Sequence, residues 1–132
     1  MKTFILSALS ILFFISTSCI DDPKDCACTL EFRMYLVTIV DSLGNPVDSL
    51  QTKVTNSKGK EFIFNDPPPP FIRGAYYVMT DYYIDDFTTR PDRIFFRGTK
   101  NQKEINGEFH FNTDDCHCHV HKVTGPDTLI LR

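Results

Sequence analysis

The sequence lacks the residue types and motifs that would point to a particular activity. It contains no tryptophan, which weakens the case for a carbohydrate-binding platform. It has no basic cluster and a net charge of −3, so nucleic acid is not expected as a partner. The G-x-S-x-G, H-E-x-x-H and phosphate-cradling glycine-rich motifs are missing. We therefore predict a non-catalytic protein that needs no cofactor.

The one long apolar run lies at the N-terminus, at residues 4–15 (FILSALSILFFI). It is too short to span a bilayer as a helix, which takes ~20 residues, but it has the length of a signal-peptide hydrophobic region. Lys2 precedes it, and the small residues 16–18 lead directly into Cys19, which resembles a bacterial lipobox. We predict that residues 1–18 are a cleaved lipoprotein signal peptide and that Cys19 carries the lipid.

Residues 19–28 are predicted to be the lipidated N-terminus and an acidic tether. Asp21 and Asp22 follow the cysteine and resemble the surface-export signal of Bacteroidota lipoproteins; a plain solvated linker is the alternative. Without a basic cluster, contact with the membrane would be through the lipid alone, and more than one acyl chain anchors stably. The predicted location is the cell envelope, as an outer-membrane lipoprotein that faces either outward from the cell surface or into the periplasm. The expected partner is an envelope protein or glycan, which the sequence does not specify.

The cysteine count supports this interpretation. Five cysteines is an odd number, which in an exported protein needs an explanation. Lipidation of Cys19 would leave an even set of four, which is typical of disulfides in an exported chain. These four form two C-x-C segments, one with Cys26 and Cys28 and the other with Cys116 and Cys118.

Strand geometry favours disulfides between the two C-x-C segments. Residues two apart on a strand lie on one face, ~6.6 Å apart, whereas a disulfide needs Cβ atoms ~3.5–4.5 Å apart. Neither segment therefore closes easily on itself, and the N- and C-terminal segments are expected to be cross-linked, with the individual pairing open. A zinc site built from all four thiolates is the alternative, although C-x-C is an unusual spacing for structural zinc.

The histidines alternate with the second cysteine pair in the stretch Cys116–His121 (CHCHVH). If this stretch is a strand, the histidines share the face opposite the cysteines and point to solvent. His117 and His119 are then close enough to share zinc or copper, with His110 of the preceding strand as third ligand. An exposed polar face without metal is the alternative.

The remaining pattern predicts an all-β chain. Period-two alternation is clearest in two segments. In the first segment, one predicted strand face is apolar and carries Leu30, Phe32, Met34 and Leu36. In the second segment, one predicted strand face carries Ile105, Gly107, Phe109 and Phe111. Turn signals separate further short strands, and helical periodicity is missing. We predict a single small antiparallel β-sandwich of about seven strands over residues 29–132. The strands are expected at 29–41, 51–55, 61–64, 74–79, 93–97, 104–112 and 128–131.

Two features of the central region suggest binding without specifying it. Four tyrosines form a candidate binding patch, although at least two are expected to belong to the core: Tyr76, Tyr77, Tyr82 and Tyr83. The acids of the loop at 80–92 do not match a calcium-loop pattern and indicate turn chemistry. The run Pro67–Pro70 predicts a stiff extended connection.

Three stretches carry a family resemblance. The stretch 37–62 (VTIVDSLGNPVDSLQTKVTNSKGKEF) resembles the first strands of carboxypeptidase regulatory-like domains, which are transthyretin-like or immunoglobulin-like sandwiches. The stretches 74–87 (GAYYVMTDYYIDDF) and 114–131 (DDCHCHVHKVTGPDTLIL) resemble small Bacteroidota lipoproteins with such a domain. The resemblance implies a β-sandwich with an accessory, non-catalytic role.

Overall fold

The computed structural model describes residues 25–65 and 72–132. Within these ranges the chain forms eight strands and one 3-10 helix, Asp81–Asp86. The strands are β1 (Met34–Asp41), β2 (Gln51–Asn56), β3 (Glu61–Phe62), β4 (Ala75–Thr80), β5 (Asp92–Lys100), β6 (Lys103–Thr113), β7 (Val120–Thr124) and β8 (Thr128–Leu131). The predicted signal peptide, Cys19 and the run Pro67–Pro70 lie outside the described residues.

The strands form two sheets that pack as a sandwich, so the predicted fold class is confirmed. One sheet has the order β4-β1-β8 and the other the order β3-β2-β5-β6-β7. The core between them is aliphatic and aromatic, as the alternation predicts. Its largest fully buried side chains are Phe96, Phe109, Phe111, Ile39, Met79, Ile94, Val37, Val54, Val78 and Val120.

The last strand departs from a purely antiparallel sandwich. β8 lies parallel to β1, with Thr38 opposite Thr128 and Asp41 opposite Leu131. The chain leaves β7 in the other sheet and crosses over at Gly125, which has a φ of 136°. A Cβ atom there would lie 2.3 Å from Cδ1 of Phe109, so only glycine lets the backbone pass this close to the core.

The N-terminal segment differs from the prediction. β1 begins at Met34 and not at Thr29, and the apolar face predicted from the even-numbered positions is wrong. Leu30 is 105% exposed and Phe32 58% exposed, whereas Val37 and Ile39 are completely buried. Successive side chains of a strand point to opposite faces. Because Val37 of β1 points into the core, Met34 and Leu36 point away from it, and Leu30 and Phe32 lie before the strand begins.

Candidate functional site

Two disulfides join the N-terminal segment to the turn between β6 and β7. Cys26 is bonded to Cys116 with the Cα atoms 5.5 Å apart, and Cys28 to Cys118 with the Cα atoms 5.3 Å apart. The predicted cross-link between the two C-x-C segments is therefore confirmed. The four sulfurs are bonded in pairs, so the alternative zinc site of four thiolates does not form. We call this pair of disulfides the clasp.

The predicted alternation of cysteines and histidines is wrong, because residues 114–119 form a turn and not a strand. His117 has a φ of 54°, which a strand residue does not adopt. Asp114 stabilises the turn: its carbonyl accepts the His117 N–H at 3.1 Å, and its side chain accepts the Cys118 N–H at 3.1 Å. The side chain of His119 consequently points inward and is only 7% exposed.

His119 lies between a hydroxyl and a carboxylate. Its Nδ1 is 2.7 Å from Oδ2 of Asp81, and its Nε2 is 2.8 Å from Oγ1 of Thr29. Asp81 also accepts the backbone N–H groups of Arg33 and Val120, each at 2.8 Å. An ionised carboxylate only accepts hydrogen bonds, so Nδ1 carries the proton. Nε2, on the other side of the ring, shares its hydrogen bond with the Thr29 hydroxyl.

The pKa of Asp81 follows from this arrangement. Its side chain is 9% exposed, and burial alone would raise its pKa. The backbone N–H of Arg33, the ring of His119 and the N–H of Val120 together outweigh burial, so the pKa of Asp81 lies below its usual value. The carboxylate is therefore held in its charged form where three segments of the chain meet.

The order hydroxyl, imidazole, carboxylate is also that of hydrolytic triads. A triad needs a cavity that presents substrate to the hydroxyl. The three cavities that we describe on this surface, of about 580, 420 and 250 Å³, are lined by other residues. The hydrogen bonds of Thr29, His119 and Asp81 fasten the segment that follows the clasp.

The three histidines proposed as metal ligands have separate partners. His110 Nδ1 is 2.8 Å from the Thr124 hydroxyl, and His117 Nε2 is 3.4 Å from Asp85. His119 is engaged with Asp81. Over residues 25–65 and 72–132, no group of three or more His, Cys, Asp or Glu side chains is placed to hold a metal ion. The structure thus does not bring the predicted ligand set together.

A surface groove lies where β3 and β4, the edge strands of the two sheets, come close together. We call it the aromatic groove. It has a volume of about 250 Å³ and is lined by Phe32, Ile63, Phe64, Asn65, Tyr77, Thr80, Tyr82 and Tyr83. Five of these eight side chains are aromatic, which gives the groove a largely apolar lining.

Ring contacts and a hydroxyl shape the aromatic groove. Phe64 stacks on Tyr77 with the ring centroids 5.3 Å apart, and Tyr82 meets Tyr83 edge to face at 5.1 Å. The Tyr83 hydroxyl donates to the carbonyl of Ile63 at 2.6 Å and accepts its N–H at 2.9 Å. These contacts tie the segment after β3 to β4 and to the 3-10 helix, and they keep the groove preformed.

The rim of the aromatic groove leaves much apolar surface in water. Tyr82 is 79% exposed, Ile63 64% and Phe32 58%. Single exposed apolar residues are ordinary, but several around one depression mark an interaction site. Of the four tyrosines identified in the sequence, Tyr76 and Tyr83 pack against the core, as expected for at least two of them.

The larger cavity of about 580 Å³ is less suited to recognition. It lies on the outer face of β2, β5 and β6, and charged side chains contribute much of its lining. Lys53 pairs with Glu61 at 3.1 Å, and Arg97 pairs with Glu104. Such solvated ion pairs contribute little binding energy.

The fold defines a small, mostly-β protein with two sheets. Comparison with family models, with curated proteins and with solved structures finds no match. Among the described residues, no helix has the length and apolar character needed to cross a membrane.

Proposed function

We propose that this protein is a lipid-anchored accessory module of the cell envelope, which binds a partner and catalyses no reaction. The finer assignment that we propose is a small Bacteroidota-type surface lipoprotein with a carboxypeptidase regulatory-like domain. The apolar run before Cys19 supports the anchor, and the clasp suits an oxidising, exported environment. The two-sheet architecture is compatible with the resemblance.

The aromatic groove is the proposed interaction surface. The observation that carries this proposal is the exposure of Phe32, Ile63 and Tyr82 around one preformed depression. Burial of such side chains by a partner gains about 25 cal/mol per Å² of apolar surface, and aromatic anchors dominate binding energy at interfaces. The proposed partner is an envelope protein or glycan.

A capture experiment with matched variants tests this proposal. The full chain, immobilised, is incubated with native envelope, and bound material is analysed after treatment of the envelope with protease or with periodate. Ile63→Ser with Tyr82→Ser should abolish capture of whatever the unaltered protein binds. The control is Leu43→Ser, which removes an 85% exposed apolar side chain from the turn after β1. Equal capture by the groove variant and the control would refute the proposal.

A protease-sensitive capture identifies a protein partner, and a periodate-sensitive capture identifies a glycan. Either must depend on the groove residues to support the function proposed here.

A further inference from the structure

We propose that residues 25–33, which we call the N-terminal tail, form a removable wall of the aromatic groove, and that the clasp holds this wall in place. Reduction of the clasp would release the tail, take Phe32 out of the groove and weaken binding there, with the sandwich still folded. This inference rests on the function proposed above for the groove. It adds a positioning role for the clasp and a redox dependence of binding.

The tail forms no regular secondary structure and contributes little to the core. β1 begins only at Met34, and Leu30 and Phe32 are 105% and 58% exposed. No tail residue belongs to the buried core cluster. The tail is therefore held by its specific attachments and not by burial of its own side chains.

At its C-terminal end the tail is attached by backbone hydrogen bonds. The Arg33 N–H donates to the Asp81 side chain at 2.8 Å, and the Asp81 N–H donates to the Arg33 carbonyl at 3.0 Å. These bonds continue the pairing of Met34 with Thr80 at the end of β1 and β4. They place Phe32 beside Thr80 and Tyr82 in the wall of the groove.

At its N-terminal end the tail is attached by the clasp and by one side-chain hydrogen bond. The Thr29 hydroxyl is hydrogen-bonded to His119, one residue beyond Cys118. With the clasp open, this hydrogen bond and the solvent-exposed ion pair between Glu31 and Arg33 would be left to order the segment from Cys26 to Phe32. Exposed ion pairs contribute little to stability. A neutral hydrogen bond contributes less than the conformational entropy lost when several backbone residues become fixed. The tail should then detach up to the Arg33–Asp81 contact.

Release of the tail needs an external two-electron donor, for which a dithiol is sufficient. Its thiolate attacks one sulfur of a disulfide, forms a mixed disulfide and expels the other cysteine as a thiolate, which takes up a proton. Its second thiol closes the reagent's own disulfide and expels the protein thiolate, which takes up a proton. Each disulfide of the clasp thus gains two electrons and two protons, and each dithiol loses the same number. Cys26 and Cys28 are exposed, so the reagent can reach this side of the clasp.

Fluorine NMR of the full chain, labelled with 3-fluorotyrosine, tests this inference without any ligand. The protein is kept in detergent micelles with trimethylamine oxide, which favours the folded state when the clasp is reduced. Addition of dithiothreitol should shift the resonances of Tyr77 and Tyr82, which line the groove. The resonance of Tyr76 should stay in place, because its hydroxyl bonds the Val47 carbonyl and the Leu50 N–H away from the tail. Unmoved Tyr77 and Tyr82 resonances would overturn the inference. A displaced Tyr76 resonance would also overturn it, because the sandwich would then have changed as well.

The variant Phe32→Ser is the matched control. Without reductant, its Tyr77 and Tyr82 resonances should resemble those of the reduced protein, and dithiothreitol should move them little further. A shift of unaltered size in Phe32→Ser would show that reduction acts on the groove by another route and would overturn the inference. Since the NMR experiment involves no partner, its failure is distinct from failure of the envelope capture. If both proposals hold, capture by the unaltered protein falls on reduction, whereas capture by Phe32→Ser is weak with or without reductant.

Discussion

The clasp makes a quantitative prediction about stability, because its two disulfides close almost the same loop. Each joins residues 90 positions apart. In the chain-entropy model, closing a loop of this size removes about 4–5 kcal/mol of unfolded-state entropy. With one disulfide already present, the second closes a ring of only a few residues, for which the same model gives about 2 kcal/mol.

The costs of removing the two disulfides should therefore be non-additive. Replacing Cys26 and Cys116 by serine, or Cys28 and Cys118 by serine, should each lower the free energy of unfolding by about 2 kcal/mol. Replacing all four should lower it by about 6–7 kcal/mol, well above the sum of the separate effects. The excess arises because only the fourfold variant opens the long loop.

Denaturant unfolding of the three variants and the unaltered protein measures these costs. The fourfold variant should also show a steeper dependence on denaturant, because its unfolded chain exposes more surface. A loss of this size approaches the whole stability of a small domain, so the series should be repeated in trimethylamine oxide, which favours the folded state. The argument from loop closure would be refuted if the losses in free energy of unfolding of the two double variants added up to the loss of the fourfold variant.

Three further predictions concern single residues. Cys19→Ala should abolish labelling by a fatty-acid analogue and release the protein from the membrane fraction; unchanged labelling would show that Cys19 is not the lipidated residue. Because the pKa of Asp81 is lowered in the folded state, its contribution is complete above its unfolded pKa of ~3.9 and is lost as pH falls through its lower folded value. Denaturant midpoints between pH 6 and pH 2 should thus fall less steeply for Asp81→Asn, and identical slopes would contradict this. Gly125→Ala should cost about 2–4 kcal/mol by thermal unfolding, because its Cβ would meet Phe109 and its φ is positive; Gly59→Ala, where the Cβ meets nothing within 4 Å, should cost less.

Sequence pattern predicted the elements whose signals are local. The alternation of Ile105, Phe109 and Phe111 identified β6 and its buried face correctly. The turn after β1 is also formed by local contacts, because the Asp41 side chain accepts the N–H groups of Leu43 and Asn45. The repeated C-x-C spacing predicted the cross-link between the two ends, because strand geometry disfavours closure within either segment.

The candidate site depends on contacts between residues far apart in the sequence, which a local sequence pattern does not reveal. Asp81 and His119 are 38 positions apart, and nothing near Asp81 distinguishes it from the other acids of its loop. The prediction that the histidines share one strand face is wrong, because His117 has a positive φ that interrupts the extended backbone. The core face predicted for Leu30, Phe32 and Met34 is wrong, because the tail lies outside the sandwich and Met34, the first residue of β1, is 42% exposed. Lipidation of Cys19 stays a prediction.

The position of the clasp also determines how the domain would respond to mechanical force. A pull applied through the chain from its N-terminal side reaches Cys26 and Cys28 before it reaches β1 at Met34. The tension passes through the sulfur bonds into the turn after β6, which belongs to the five-stranded sheet. β1 follows the clasp along the chain, so a pull from the N-terminal side does not reach it first. In a protein held at its N-terminus against fluid drag, covalent bonds would then carry the tension at the point where it enters the domain.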